Sequence, residues 1–236
     1  MYKRVLLKLS GEALGSKGKS IDPNVLDRTA KEIKEIYDMG IEIGIVVGGG
    51  NLLRGKFAEE MHMDRCIADN IGMLGTMMNA LSLKNALQNQ GMKAVVMSAI
   101  EMNKIAELAD SERAIKHLED NEIVIFGCGV GNPYFSTDTC AALRAAEIKA
   151  EVILMAKNGV DGVYSADPNV DKTAVKYDIL TYKEVLAKDL KVIDLTGISM
   201  CEQANMNTFV FDMNVEHNIR DAVLGTAVGT KIVKEK

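Results

Sequence analysis

The stretch Ile41-Glu-Ile-Gly-Ile-Val-Val-Gly-Gly-Gly-Asn51 decides how the rest of the chain is read. Five of its first seven residues are isoleucine or valine, which suits a buried strand. Three glycines then let consecutive backbone N–H groups converge on an anion, and a helix starting beyond them would add its dipole. Arg54, three residues on, can fork onto phosphate oxygens. The same residues also suit a tight strand-to-helix turn with no ligand.

Working outward, Tyr2–Ser10 reads as a strand, and Asp22-Pro23 as an N-cap with proline at the first helical position. Val25, Leu26, Ile33 and Ile36 suggest an apolar helix face running to Met39, with Gly40 as a stop. A long helix is expected from Asp64 to Gln90, with Ile67, Ile71, Leu74, Met78 and Leu81 at helical spacing. Gly72 and Gly75 would let another element approach it closely, and Met73, Met77 and Met78 suit core or interface packing. Further strands are expected at 93–99, 122–128, 151–157, 208–213 and 231–234, with helices at 111–119, 137–149 and 217–224. Strands alternating with helices imply a mainly parallel sheet covered on both faces. Ligands of such sheets sit beyond the carboxyl ends of the strands. That places the glycine-rich loops after Ser10, Val47, Cys128 and Lys157 on one edge. No linker interrupts residues 1–236, so a single domain is expected.

Composition narrows the chemistry. Apolar residues make up 47 % of the chain and charged ones 26 %, an ordinary soluble balance. A net charge of −5 argues against a general nucleic-acid binder. No apolar run reaches membrane-spanning length, and Lys8 and Ser10 break the N-terminal run, which excludes a signal peptide. Cys66, Cys128, Cys140 and Cys201 form no C-x-x-C pair, and the three histidines are scattered. The expectation is reduced thiols in a cytoplasmic protein, with no residue set for a metal. Any phosphate must be held by local geometry.

Two nucleotide motifs fail on spacing. Gly15-Ser-Lys-Gly-Lys-Ser20 ends like a P-loop, but the required first glycine is Ala13. Gly127-Cys-Gly-Val-Gly-Asn-Pro133 lacks the third glycine of a dinucleotide fingerprint in either frame, since Asn132 and Tyr134 occupy those positions. The following Tyr134-Phe135-Ser136-Thr137-Asp138 opens a helix. There Ser136 and Thr137 offer hydroxyls and amides to a phosphate, while Asp138 suits a first-turn carboxylate. Lys8-Leu9-Ser10-Gly11 places an ammonium at a strand end. In Asn158-Gly-Val-Asp-Gly-Val-Tyr-Ser-Ala-Asp-Pro168 a base can stack on Tyr164 and Asp167 can accept from a ribose hydroxyl; a hairpin-like loop with Tyr164 partly buried is the alternative.

In this order, "KLSGEAL", "VVGGGNLLRG", "GNPYFSTD" and "VDGVYSADP", with Asp69 in the long helix and "LKVIDLTG" at 190–197, resemble the bacterial UMP kinases of the amino-acid-kinase superfamily. The resemblance implies a three-layer αβα sandwich around a mainly parallel sheet, the carbamate-kinase-like fold, assembled as a homohexamer. It implies transfer of phosphate from ATP to UMP, with Mg2+ held mainly by nucleotide phosphates, in pyrimidine synthesis. The N-terminal part would form the UMP side and the C-terminal part the ATP side. Lys8, Leu9, Ser10, Gly11, Gly50 and Arg54 would serve ATP phosphates, and Asn158, Tyr164 and Asp167 the adenosine. Gly49, Asp69 and the run Val130, Gly131, Asn132, Pro133, Tyr134, Phe135, Ser136 and Thr137 would hold UMP. Lys8, Arg54, Asp138 and Asp194 would be the catalytic set, with the two aspartates orienting Lys8 or a second lysine such as Lys157.

UTP is the implied inhibitor. Relatives usually carry glycine, an aromatic and glycine before the Ile-Asp at 21–22, in a segment that takes part in activation by GTP; here Lys19-Ser20 stand there, so the pattern is altered and GTP activation stays an open question. Two rivals are a kinase of the same superfamily acting on a carboxylate or carbamate, and a non-catalytic nucleotide binder. Tyr134-Phe135 and the retained Lys8, Asp138 and Asp194 speak against them respectively.

Overall fold

The computed structural model describes residues 1–53, 60–168 and 170–235. Strands β1 (Arg4–Leu9) and β2 (Glu42–Val47) pair in parallel and are joined through helix α1 (Pro23–Asp38). That helix starts where the sequence says. Pro23 sits at its first position, and the Asp22 carboxylate accepts from the Asn24 amide at 2.9 Å, satisfying a donor the helix leaves unbonded. Leu26, Ala30, Ile33 and Ile36 recur at helical spacing and enter the core.

The chain continues as helix α2 (Arg65–Asn89), strands β3 (Ala94–Ser98) and β4 (Glu107–Leu108), helix α3 (Ser111–Glu119), strand β5 (Ile123–Gly127), helix α4 (Thr137–Glu147) and strand β6 (Val152–Lys157). A short pair, β7 (Val163–Tyr164) and β8 (Lys176–Tyr177), precedes strand β9 (Ile179–Thr181) and helices α5 (Tyr182–Ala187) and α6 (Leu195–Gln203). Strand β10 (Asn207–Asp212), helix α7 (Asn218–Leu224) and strand β11 (Gly229–Val233) follow.

One sheet carries nine strands in the order β4-β3-β5-β2-β1-β6-β10-β11-β9. Its pairings are parallel except β10 with β11. Side-chain alternation builds a core on each face. Val5, Leu7 and Leu9 join Ile43, Ile45 and Val47 under α1, α2 and α7. Leu6, Val46, Ile153 and Met155 face the helices α3 to α6. At about 1.5–3 kcal/mol for each large side chain buried, these strands carry much of the hydrophobic stabilisation. The result is the expected αβα sandwich.

Two features depart from the sequence reading. The stripe Ile67, Ile71, Leu74, Met78 that reveals α2 is its exposed face, with Leu74 51 % accessible. The packed face is Met73, Met77, Ala80, Leu83 and Leu87, because α2 is apolar on more than one side. Strands β4, β7, β8 and β9 have only two or three residues, too few for periodicity to register. Helix α5 did leave a sign, Thr181-x-x-Glu184, which forms a reciprocal capping box.

From β1 the chain steps to β2 on one side, and β6 flanks β1 on the other. The loops ending β5, β2, β1 and β6 therefore share one edge around a topological switch point.

Candidate active site

Alternation and register bring two lysines together. Lys8 follows Leu6 on the face toward α4, and Lys157 follows Ile153 and Met155 on the same face of the neighbouring strand, where Lys8 is level with Met155. Lys8 is only 8 % exposed and its Nζ lies 2.9 Å from Asp138 Oδ1 in the first turn of α4. Asp138 is thus the lysine's ion-pair partner as well as a first-turn carboxylate. Lys157 Nζ donates to the Val192 carbonyl at 3.0 Å. Burial, and then the nearby Lys8 charge, push the Lys157 ammonium below the ordinary lysine range, while Asp138 pulls the other way.

Among the described residues Asp194 makes no ion pair with a lysine, where the sequence reading has it orienting one. It caps α6, accepting from the Thr196 and Gly197 amides at 2.9 and 3.0 Å. It also accepts from the Ser136 hydroxyl and, at 3.0 Å, from the Thr139 hydroxyl. Burial would raise its pKa, but these donors hold it below the usual carboxylate value. Its job is to join the start of α6 to the start of α4, which carries Asp138. Ser136 is correspondingly committed. It caps α4, accepting from the Asp138 and Thr139 amides, and donates to Asp194, so its hydroxyl is not free for a phosphate as the sequence suggested.

The glycine turns interlock. The Gly48 amide donates to the Leu9 carbonyl at 3.0 Å, and the Gly48 carbonyl accepts from buried Asn79 of α2 at 2.7 Å. Asn79 and Asn51 exchange amide hydrogen bonds of 2.7 and 3.0 Å. A Cβ on Gly49 would stand 2.6 Å from the Gly72 carbonyl, so this glycine, rather than those of α2, permits the close approach. Arg54 lies outside the described residues.

The loop after β5 carries left-handed residues at Cys128, Gly129, Gly131 and Tyr134, the last with φ 73°. It is tied to α2 at two points. The Cys128 amide donates to Thr76 Oγ1 at 2.8 Å, and the Tyr134 amide to Asp69 Oδ2 at 2.8 Å. Gly49, Gly50, Asp69, Thr76, Asn132 and Phe135 line the resulting cavity of about 300 Å³, with Ser136 and Thr137 at its end. Val130 packs instead against the core under α4, and Pro133 and Tyr134 do not line the cavity.

Across the Gly48–Asn51 turn a second cavity, about 660 Å³, is lined by Glu12, Lys17, Lys19, Asn51 and Asn158. Asn158 accepts from Asn214 at 2.7 Å. Tyr164 pairs with Lys176 across β7 and β8, and its hydroxyl donates to Asp161 at 2.6 Å. The segment is hairpin-like, with Tyr164 half-buried. Asp167 sits in the turn that follows, its carbonyl accepting from Val170 and Asp171. Residues 15–20 form no P-loop. Ser16 and Lys19 exchange backbone hydrogen bonds of 2.9 Å about Gly18, so their amides face each other instead of a common anion.

Thr76, Asn79 and Arg65 were not read from the sequence. The only trace of Asn79 is a lone amide in the apolar run Met77-Met-Asn-Ala-Leu81.

Residues 3–212 match the model of the amino acid kinase family. The chain is 52 % identical over its full length to the uridylate kinase of Pediococcus pentosaceus, covering 98 % of that protein. It superposes on the crystal structure of UMP kinase from Bacillus anthracis with a TM-score of 0.97 at 42 % identity, covering all of this chain and 97 % of that one. For UMP kinase from Ureaplasma parvum the TM-score is 0.94 at 38 % identity, over 99 % and 100 % of the two chains.

Proposed function

The chain belongs to the amino acid kinase family and phosphorylates UMP to UDP in pyrimidine synthesis, and from that premise we propose that ATP and UMP meet over the Lys8–Asp138–Lys157 centre. UMP occupies the cavity walled by Gly49, Asp69 and the 130–137 loop. The ATP phosphates lie over Lys8–Gly11, Gly50 and Arg54, with the adenosine toward Asn158, Tyr164 and Asp167. The carrying observation is that two cavities flank one glycine turn beside a buried, paired lysine. Residues 1–236 act as one domain, the N-terminal part contributing mainly to the UMP side and the C-terminal part mainly to the ATP side through the adenosine contacts. Strands from both ends of the chain share one sheet, which supports this.

The reaction breaks the bond from the γ-phosphorus to its bridging oxygen and forms one to a UMP phosphate oxygen, releasing ADP. That acceptor oxygen is already ionised at neutral pH, so no general base is needed. What remains is positioning and charge stabilisation. Lys8, aimed by Asp138, and Lys157 supply fixed positive charge where the transferring oxygens gather. Asp138 and Asp194 are committed, and the one cluster of three metal-capable side chains among the described residues, Glu32, Glu35 and His217, belongs to α1 and the start of α7. Magnesium, held mainly by the nucleotide phosphates, would offset their charge.

Self-association, as a homohexamer, is supported by the exposed apolar stripe of α2. Sedimentation as a monomer would remove that part. No helix among the described residues is long and apolar enough to cross a membrane.

The deciding experiment is ADP release from Mg·ATP with UMP, CMP, 2′-deoxyUMP, aspartate and carbamate offered separately. UMP alone should support rapid turnover, with UTP competing through the uridine it shares. Turnover restricted to aspartate or carbamate would keep the fold and overturn the substrate; no turnover would favour a non-catalytic binder. The pH profile tests Lys157. Its ammonium is destabilised, so it discharges below the ordinary value of 10.5, and kcat should fall as pH rises toward that value. Lys157→Arg, which stays charged, should lose that alkaline limb; an unchanged limb would remove Lys157 from the mechanism.

A further inference from the structure

We infer that Arg65 is a positioning residue that locks the 130–137 loop onto α2 and fixes which oxygen of Asp69 the acceptor meets, an inference that rests on reading this cavity as the UMP site. Arg65 and Asp69 lie one turn apart in α2, and Arg65 Nε donates to Asp69 Oδ2 at 2.8 Å. The same oxygen accepts from the Tyr134 amide at 2.8 Å. Both donors therefore load one oxygen. Oδ1 has no partner among the described residues, and Asp69 lines the cavity.

Arg65 also reaches the other end of this link. Its guanidinium lies over the Tyr134 ring, 5.4 Å from the centroid. Tyr134 needs such support. Its φ of 73° is left-handed, which a side chain disfavours, and its side chain is 67 % exposed, so no core burial holds it there. One arginine thus orients the carboxylate through Nε and restrains the strained residue through its ring.

An exposed pair spaced i,i+4 on a helix ordinarily contributes little. This one differs because its acceptor oxygen is shared with an amide from a remote loop, 65 residues along the chain. Arg65 is also the one lysine or arginine among the described residues lining the cavity, so it offsets the Asp69 charge that would otherwise repel an anionic nucleotide. With Oδ2 occupied, Oδ1 is the atom left to accept from a ribose hydroxyl. Arg65 then governs discrimination of the ribose without touching the reacting phosphates.

The test compares Arg65→Ala, Arg65→Lys and Asp69→Asn. Arg65→Ala should raise KM for UMP about tenfold with kcat within about twofold, and reduce the preference for UMP over 2′-deoxyUMP. Arg65→Lys keeps the charge and loses the planar fork and ring stacking, so it should fall between. In the nucleotide-free protein, exchange of the Tyr134 amide proton should speed up about tenfold in Arg65→Ala, a readout independent of any substrate. Unchanged exchange overturns the lock. Unchanged KM and ribose preference in Arg65→Ala, while Asp69→Asn raises KM, overturns the inference and leaves the UMP site standing. If Asp69→Asn also leaves KM unchanged, the assignment of the cavity fails and takes the inference with it.

Discussion

Lys8→Ala is expected to lower kcat about 10²–10³-fold at saturating Mg·ATP and UMP, the scale of one lost transition-state donor. The lysine sits at the end of the central strand, 8 % exposed, with its charge already aimed by Asp138 at 2.9 Å. No reorganisation is needed when negative charge gathers on the transferring oxygens. Stability must be separated from chemistry here. Removing Lys8 strands the Asp138 carboxylate in a largely buried position, at a cost of about 3–5 kcal/mol. The double variant Lys8→Ala/Asp138→Asn removes both charges, so thermal stability should recover most of that loss while turnover stays low. Recovery of turnover along with stability would mean that Lys8 has a structural role only. Near-normal kcat in a folded Lys8→Ala would likewise remove it from the mechanism.

Gly11→Ala is expected to destabilise the protein by about 1–3 kcal/mol, the range for forcing atoms into a packed site. Its methyl would stand 2.5 Å from the Gly48 carbonyl oxygen and 2.5 Å from Asn51 Oδ1. The backbone at Gly11 is not left-handed, so conformational freedom is not the issue; space is. The turns after β1 and β2 would have to separate, although Asn79 holds the Gly48 carbonyl from below at 2.7 Å. Because these turns carry the proposed phosphate positions, kcat/KM should fall about 10²-fold, the typical penalty for a displacement of about 1 Å. Chemical denaturation and steady-state kinetics check the two parts. Wild-type stability in Gly11→Ala would mean the turns part without cost, and full activity would mean the phosphates do not rest there.

Much of the fold was legible because its physics is local. Central parallel strands are buried on both faces, so they appear as runs such as Ile43 to Val47, and Asp22-Pro23 announces a helix start through its own side chain. The four glycine-rich loops could be placed on one edge because parallel strands must all end there. The site was legible as motifs but not as partnerships. Asp138 and Asp194 look alike in sequence, yet one meets Lys8 and the other caps a helix. Only the packing of α4 between α6 and the sheet distinguishes them.

The sequence alone therefore determined the alternation of strands and helices, the edge on which the glycine-rich loops gather and the residue types found there. Backbone propensity and hydrophobic period act within a few residues, so they are written along the chain. Tertiary structure decided the rest. It chose which face of α2 enters the core, set Lys157 beside Lys8 through strand register, and tied Arg65 and Asp69 to Tyr134. Those choices depend on contacts between distant segments, and such contacts are set by register and packing rather than by local spacing.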